Sequence, residues 1–265
     1  MERKIPTFED TFQLLELPEY LNGTEIRYEL NIMTSKKEKA VLIETCRRLQ
    51  DLYDEICAAR FALITSCQVR YPEYLSADTD ERGHLWIQSQ FVNNAILWYN
   101  ATFDILLQVI WVYFKLYKLY KKESLSLCNI EKVLSKCNKN NVLGFLPNED
   151  WEGTLKGTLE SFDKAGTNLQ YIHNLANTLK HRRMIKYEEL DKQKHRACFI
   201  TLSQLPEIVI EGQPPSKQDS QEIKILYNSN ETLQKVKMAD VINLLFEYHK
   251  EICQLSKFVY DKIEF

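Results

Sequence analysis

A long apolar stretch near the middle of the chain decides the fold: AILWYNATFDILLQVIWVYF, residues 95–114. It belongs to a longer helical pattern, residues 84–121, in which apolar side chains cover most of the circumference. A helix of this kind belongs at the centre of a bundle. One narrow polar stripe follows it, formed by Gln90, Asn93, Asn100, Asp104, Gln108 and Lys115. Because the polar side chains share one face, we expect a buried helix of a soluble protein and no membrane span.

Three further long helices are predicted around this central one. Residues 35–67, 147–183 and 230–264 each carry apolar side chains at steps near 3.6 residues. Gly166 lies inside the second of these patterns and predicts a break or kink there, because glycine weakens a helix interior. The sequence therefore predicts a mainly α fold, a helical bundle of four to five long helices.

Two segments depart from the helical pattern. Residues 1–34 are predicted to be an irregular N-terminal segment, in which alternating apolar side chains at residues 25–31 favour a short strand. Residues 197–227 contain short β-rich runs around a proline-containing loop. They predict a small antiparallel β element, inserted before the last helix. With no internal repeat and no low-complexity tract, residues 1–265 are interpreted as a single domain.

Composition excludes several classes of protein. Among 265 residues there are only 7 Gly and 7 Pro, which favours long helices with few turns. The net charge is −3, so any attraction for nucleic acid or an anionic membrane must come from a local patch. The 7 cysteines are scattered without C-x-x-C spacing, which indicates reduced thiols. The N-terminus has no apolar core typical of a signal peptide, and we expect a cytoplasmic protein.

Known catalytic and cofactor motifs do not occur in this sequence. It has no P-loop, no dinucleotide-binding glycine motif and no nucleophile elbow. No two histidines have the spacing of metal ligands with an acidic neighbour in range. We therefore expect neither a metal nor a cofactor.

Polar chemistry concentrates in QYIHNLANTLKHRRMIK, residues 170–186. Its second half carries cationic side chains and no acid: Lys180, His181, Arg182, Arg183 and Lys186. At 100° per residue, one face turned away from the apolar stripe is formed by Gln170, Asn174, Asn177 and His181. A cationic patch of this kind can hold phosphates on a weakly acidic protein. It can also serve only to complement the dipole at a helix C-terminus.

Within this stretch, LANTLKHRR (residues 175–183) resembles the Arg-φ-x-x-x-His motif of the HEPN superfamily (higher eukaryotes and prokaryotes nucleotide-binding), where φ is a polar residue, often Asn. Asn177 matches φ and His181 matches the histidine. Ala176 stands where the motif has arginine. The resemblance, which includes the layout of helices, covers about residues 35–185.

The resemblance implies a helical domain whose motif lines a cleft between the two subunits of a homodimer. Many members of the family are metal-independent ribonucleases, and others are inactive versions that bind RNA or nucleotide. In the cleavage reaction a histidine deprotonates the 2′-hydroxyl or protonates the leaving oxygen, and a cation stabilises the charged phosphorane. The implied catalytic residues are His181 and Asn177. The implied binding residues are Asn174, Lys180, Arg182, Arg183 and Asp104, and Asp104 is the acid expected to orient His181.

Three hypotheses about function follow. In the first, a HEPN-like domain binds RNA or nucleotide at the basic helix face of a homodimer cleft and is catalytically degenerate, because Ala176 removes the usual cation. In the second, the protein is a metal-independent HEPN ribonuclease that uses His181 with a displaced cation. In the third, it is a non-enzymatic structural or interaction protein whose basic stretch is merely solvated.

Overall fold

The computed structural model describes residues 7–24, 39–68, 70–72, 81–121, 125, 129–147, 150–162, 164–181, 184–190 and 235–265. In chain order the helices are α1 (Phe8–Leu14), a 3-10 helix (Glu19–Leu21), α2 (Lys39–Ser66), α3 (Glu81–Tyr113), α4 (Leu116–Lys121), α5 (Ile130–Leu134), α6 (Lys139–Phe145), α7 (Asp150–Phe162), α8 (Asn168–His181) and α9 (Met238–Tyr260). The predicted mainly α fold and helical bundle are confirmed. The predicted β element at residues 197–227 and the predicted strand at residues 25–31 lie outside the described residues.

Helix α3 is the centre of the bundle and packs against α2, α8 and α9. Its side chains Leu106, Ile110 and Trp111 are fully buried, as expected for a helix that is apolar on most faces. The indole nitrogen of Trp111 donates a hydrogen bond to the carbonyl of Val133, at 3.1 Å. By length and composition α3 could cross a membrane, but 67% of its most apolar window is buried inside the protein.

Two predicted long helices are interrupted in the structure. The pattern at residues 84–121 predicts one helix, but α3 ends at Tyr113 and α4 begins at Leu116. Between them Lys115 adopts a φ of 56°, which no helix continues through. The pattern at residues 147–183 is divided between α7 and α8 by a loop in which Gly166 has a φ of 85°, so the predicted break occurs there.

The described part of the N-terminal segment, residues 7–24, is largely helical where the sequence predicts irregular structure. It contains α1 and the 3-10 helix, and Leu15 and Leu21 are fully buried in the core. The side chains of Arg60, which is half-buried, and His249, which is buried, bind its backbone. The Nε of Arg60 donates to the carbonyl of Leu15 at 2.6 Å, and the Nε2 of His249 lies 2.8 Å from the carbonyl of Glu16. Tertiary contacts, which a local pattern does not record, therefore order this segment.

The last helix begins at Met238 and ends at Tyr260, and is therefore shorter than the helix predicted at residues 230–264. The backbone nitrogen of Glu188 donates to the carbonyl of Val236, and the nitrogen of Val236 donates to the carbonyl of Lys186, each at 3.0 Å. The carboxylate of Glu189 accepts from the backbone nitrogen of Met238 at 3.0 Å. These contacts hold the chain before residue 191 beside the chain after residue 234.

Candidate functional site

The polar stripe of α3 meets α8 at one hydrogen bond. The Nδ1 of His173 lies 2.8 Å from the Oδ1 of Asn100, and Asn100 is only 4% exposed. Helix α8 turns Ile172, Leu175 and Ala176 into the core, which places His173 at the edge of the contact, half-buried. Because the amide oxygen only accepts, Nδ1 is the donor, and Nε2 of the neutral ring keeps its lone pair.

Asp104 lies one helical turn beyond Asn100 on α3. Its side chain reaches the surface, yet the surrounding protein withdraws enough water from the carboxyl to raise its pKa. The positive charge of Lys180, and that of His173 when its ring is protonated, oppose that rise in pKa. The structure thus brings an amide, a carboxyl, an imidazole and an ammonium group together where α3 and α8 meet.

Cys137, which lies between α5 and α6, is also within electrostatic range of Asp104. Burial raises the pKa of this thiol to about 12, and the carboxylate of Asp104 contributes to the rise. A thiol with so high a pKa is protonated at neutral pH and is a poor nucleophile. Cys137 therefore contributes packing and no covalent chemistry to the site.

The predicted site residues on α8 differ in their exposure to solvent. Lys180, His181 and Asn174 are exposed, and Asn177 is half-buried. Arg182 and Arg183 lie outside the described residues.

The structure does not show the expected pairing of Asp104 with His181. In the described part of the chain, no hydrogen bond or ion pair joins the two side chains, and the histidine whose charge acts on Asp104 is His173. The reason is the rotation of α8. Residues 173 and 180 are seven apart, about two turns, and share the side of the helix that meets α3, whereas His181 is turned 100° further round.

The position of the motif's arginine is occupied by Ala176, whose side chain is fully buried. It packs in the main hydrophobic core together with Ile172 and Leu175. A guanidinium at this position would lie in an apolar interior, where an unpaired charge is costly. The site therefore has no cation at the position of the motif's arginine. The burial of Ala176 agrees with the helical phase, which places residue 176 on the apolar side of the helix.

A second contact fixes the other end of the polar stripe. The hydroxyl of Tyr187 donates to the Oδ1 of Asn93 at 2.8 Å, and both side chains are buried. Burial raises the pKa of Tyr187, so the phenol stays protonated. Sequence reasoning placed Asn93 and Asn100 on one face of α3 but missed their partners, Tyr187 and His173. The available signal was that buried amides must find hydrogen-bond partners.

A separate cavity of about 330 Å³ lies between the N-terminal segment and α9, lined by Gln13, Leu14, Glu16, His249, Lys250, Cys253 and Gln254. His249 is buried and has both ring nitrogens engaged. Nδ1 lies 2.9 Å from the hydroxyl of Tyr99, and Nε2 lies 2.8 Å from the carbonyl of Glu16. Burial lowers the pKa of His249 to about 4. Its role is to fix the N-terminal segment on the bundle.

Within the described residues, no group of three or more His, Cys, Asp or Glu side chains could hold a metal ion. The five cysteines described there, Cys46, Cys57, Cys67, Cys137 and Cys253, are free thiols. Comparison with protein-family models, with curated proteins and with solved structures gave no match. Function must therefore be inferred from the residues of the α3–α8 junction and from the cationic stretch beside it.

Proposed function

We propose that the protein binds RNA or a nucleotide along the outer side of α8, with phosphates held by the cations at its C-terminal end. The observation that supports this most is the position of the junction between α3 and α8. There a polar stripe of the central helix reaches the surface at Asp104, within electrostatic range of Lys180. Both side chains are exposed and are therefore accessible to a ligand.

Charge in the stretch suits a phosphate ligand. Residues 179–187 contain Lys180, His181, Arg182, Arg183 and Lys186 and no acid. Lysine and arginine side chains that neutralise phosphates release the counterions of the nucleic acid, and this release drives binding even for a protein of slightly negative net charge. The proposal therefore needs only this local patch.

We propose binding without cleavage. A histidine acting as general base needs a partner that orients its ring, and in the described part of the chain His181 has none. The cation that would stabilise a phosphorane is replaced by the buried Ala176. Both features favour the degenerate binding version over the metal-independent ribonuclease.

In the same proposal the chain is a single HEPN-like domain, residues 1–265, with a small antiparallel insertion at residues 197–227. It forms a cytoplasmic homodimer in which the outer side of α8 faces the cleft between subunits. Asn174, Lys180 and His181 are exposed on that side and would be available to a ligand or to the partner. Light scattering at several protein concentrations measures the molar mass, and a monomer at all of them would remove the dimer from the proposal.

Binding is tested by titrating a fluorescein-labelled single-stranded RNA with the protein at increasing KCl concentration and following anisotropy. We expect log K to fall linearly with log salt, by about 0.7 for each phosphate contact. Substituting both arginines, Arg182→Ala with Arg183→Ala, should weaken binding and reduce the slope by about 1.4. A matched control, Lys164→Ala with Lys250→Ala, removes two charges from exposed positions outside the stretch and should leave the slope unchanged.

Two results would contradict the proposal. The first is no binding at low salt, which would leave the structural or interaction protein as the remaining hypothesis. The second is an equal loss in the control variant, which would show that the attraction is not local. Gel analysis of the same RNA in EDTA tests cleavage. We expect intact RNA, and cleavage that disappears in His181→Ala would support the ribonuclease instead.

A further inference from the structure

The cavity between the N-terminal segment and α9 carries chemistry that the proposed function does not use. Its volume is about 330 Å³, within the range of pockets that hold small molecules in proteins. One wall is formed by residues 13, 14 and 16 of the N-terminal segment, and the other by residues 249, 250, 253 and 254 of α9. None of these residues belongs to the stretch at residues 170–186, so the cavity is a second candidate site.

The inner wall of the cavity is neutral. His249 is buried and Cys253 is half-buried, and the Sγ of Cys253 lies 3.8 Å from the Nε2 of His249. Burial raises the pKa of the thiol to about 12 and lowers that of the imidazole to about 4, so both groups are uncharged at neutral pH. Neither ring nitrogen is available to a ligand, because the hydroxyl of Tyr99 and the carbonyl of Glu16 engage them.

Two opposite charges line the outer part of the cavity. Among the described residues that line it, only Glu16 and Lys250 are charged at neutral pH, and both side chains are exposed. In the described part of the chain no hydrogen bond or ion pair within 4.0 Å engages either side chain. The carboxylate and the ammonium group therefore share one cavity without pairing, and space for a ligand lies between them.

A ligand that fits this arrangement carries both charges itself. A simple anion would be attracted by Lys250 and repelled by Glu16, and a simple cation would meet the reverse. A zwitterion satisfies both, because its carboxylate accepts from the ammonium group of Lys250 while its own ammonium group donates to the carboxylate of Glu16. The exposed side chains of Gln13 and Gln254 add amides, and Leu14, which is 41% exposed, adds an apolar surface.

We propose that the cavity binds a small zwitterion, an amino acid with an apolar side chain, between Glu16 and Lys250. The bound amino acid joins the N-terminal segment to α9, beside the hydrogen bond between His249 and the carbonyl of Glu16. Because it binds only where the two walls are together, it stabilises the packing of that segment on the bundle by mass action. The inference is independent of the proposed binding of RNA, in which neither Glu16 nor Lys250 takes part.

The test uses three probes that share the leucine side chain and differ in charge. L-leucine carries both charges, leucinamide carries only the ammonium group, and N-acetylleucine carries only the carboxylate. Their affinities for the full chain are measured at about pH 7, where the amino groups are protonated, by saturation-transfer difference NMR. We expect leucine to bind about three- to tenfold more tightly than either analogue, as one charge-assisted hydrogen bond at an exposed site allows.

Variants of the two charged residues show which of them holds which end of the ligand. Glu16→Gln should bind leucine no better than N-acetylleucine, and Lys250→Met should bind leucine no better than leucinamide. Exchange of the charges, Glu16→Lys with Lys250→Glu, should restore the preference for leucine, because a zwitterion can bind in the reverse orientation. The control, Glu160→Gln with Lys164→Met, removes an exposed acid and an exposed base outside the cavity and should leave all three affinities unchanged.

Equal affinities for the three probes would overturn the inference, since the cavity would then bind the apolar side chain alone. Absence of leucine binding at about 10 mM would overturn it as well, and so would a preference for leucine that survives in both single variants. Thermal unfolding checks that each variant is folded, and the three probes decide the question on the wild-type protein without any variant. Each of these negative results leaves the proposed binding of RNA intact.

Discussion

His249 should make the protein lose stability in mildly acidic solution. Its ring lies in the core between Tyr99 and the carbonyl of Glu16. Its pKa is lowered from 6.5 to about 4, chiefly by burial and to a smaller extent by the charges of Arg60 and Lys250, against the effect of the hydrogen bond to Glu16. The folded protein therefore holds this imidazole neutral, whereas the unfolded chain protonates it near pH 6.5.

The direction of the pH effect follows from proton binding. Between pH 6.5 and about pH 4 the unfolded chain binds one proton more than the folded protein, so stability rises with pH across this window. The free energy of unfolding is unaffected well above pH 6.5 and falls as the pH is lowered. From these two pKa values the loss is about 2 kcal/mol at pH 5 and about 3 kcal/mol below both values.

Urea unfolding of the wild type and of His249→Gln, measured from about pH 7.5 to about pH 4.5, isolates this loss from the titration of other groups. The glutamine does not titrate, and its amide can still donate to Glu16. The difference in free energy of unfolding between the two proteins should therefore shrink, or change sign, as the pH falls. His181→Gln, at an exposed position, is the control and should follow the wild type. A difference that stays constant across the range would refute the reasoning about His249.

Two other changes test the packing of the bundle. Tyr187→Phe removes the donor to the buried Asn93. The amide left without its partner should lower the free energy of unfolding, measured with urea, by about 1–3 kcal/mol. A loss below about 0.5 kcal/mol would contradict the role given to that hydrogen bond. Gly166→Ala places a side chain at a φ of 85° where a Cβ would meet nothing within 4 Å. The expected cost of about 1 kcal/mol is then a backbone effect alone, and an unchanged melting temperature would show that the loop relaxes.

Much of the helical bundle could be predicted from the sequence, because the spacing of apolar residues is a local property. The central position of α3 follows from apolar side chains on most of its faces, and the break at Gly166 from a residue type that weakens helices. The interruption at Lys115 could not be predicted in this way, since lysine is a good helix former and gives no sign of a positive φ. The antiparallel element at residues 197–227 stays a prediction.

For the candidate site, the sequence indicated residues 170–186 and the side of the helix that is exposed. It did not indicate which side chains form hydrogen bonds with each other. Helical phase placed Asn174 and His181 away from the core, and both are exposed in the structure. It could not show that His173 is the histidine that meets α3. The partner, Asn100, is 73 residues away, and no periodicity within α8 carries information about it.

The sequence by itself determined where most of the long helices lie, which face of each is apolar, and where the cationic patch lies, because each of these depends on residues within a few turns of one another. Only the tertiary structure decided which polar groups meet. The pairs Asn100 with His173 and Asn93 with Tyr187 were set by how helices distant in sequence pack. A helical pattern gives the direction in which a side chain points from the axis of its own helix. A hydrogen bond between two helices also depends on the distance and rotation of the second helix, which the pattern does not give. The packing of α8 on α3 also brings Lys180 within electrostatic range of Asp104.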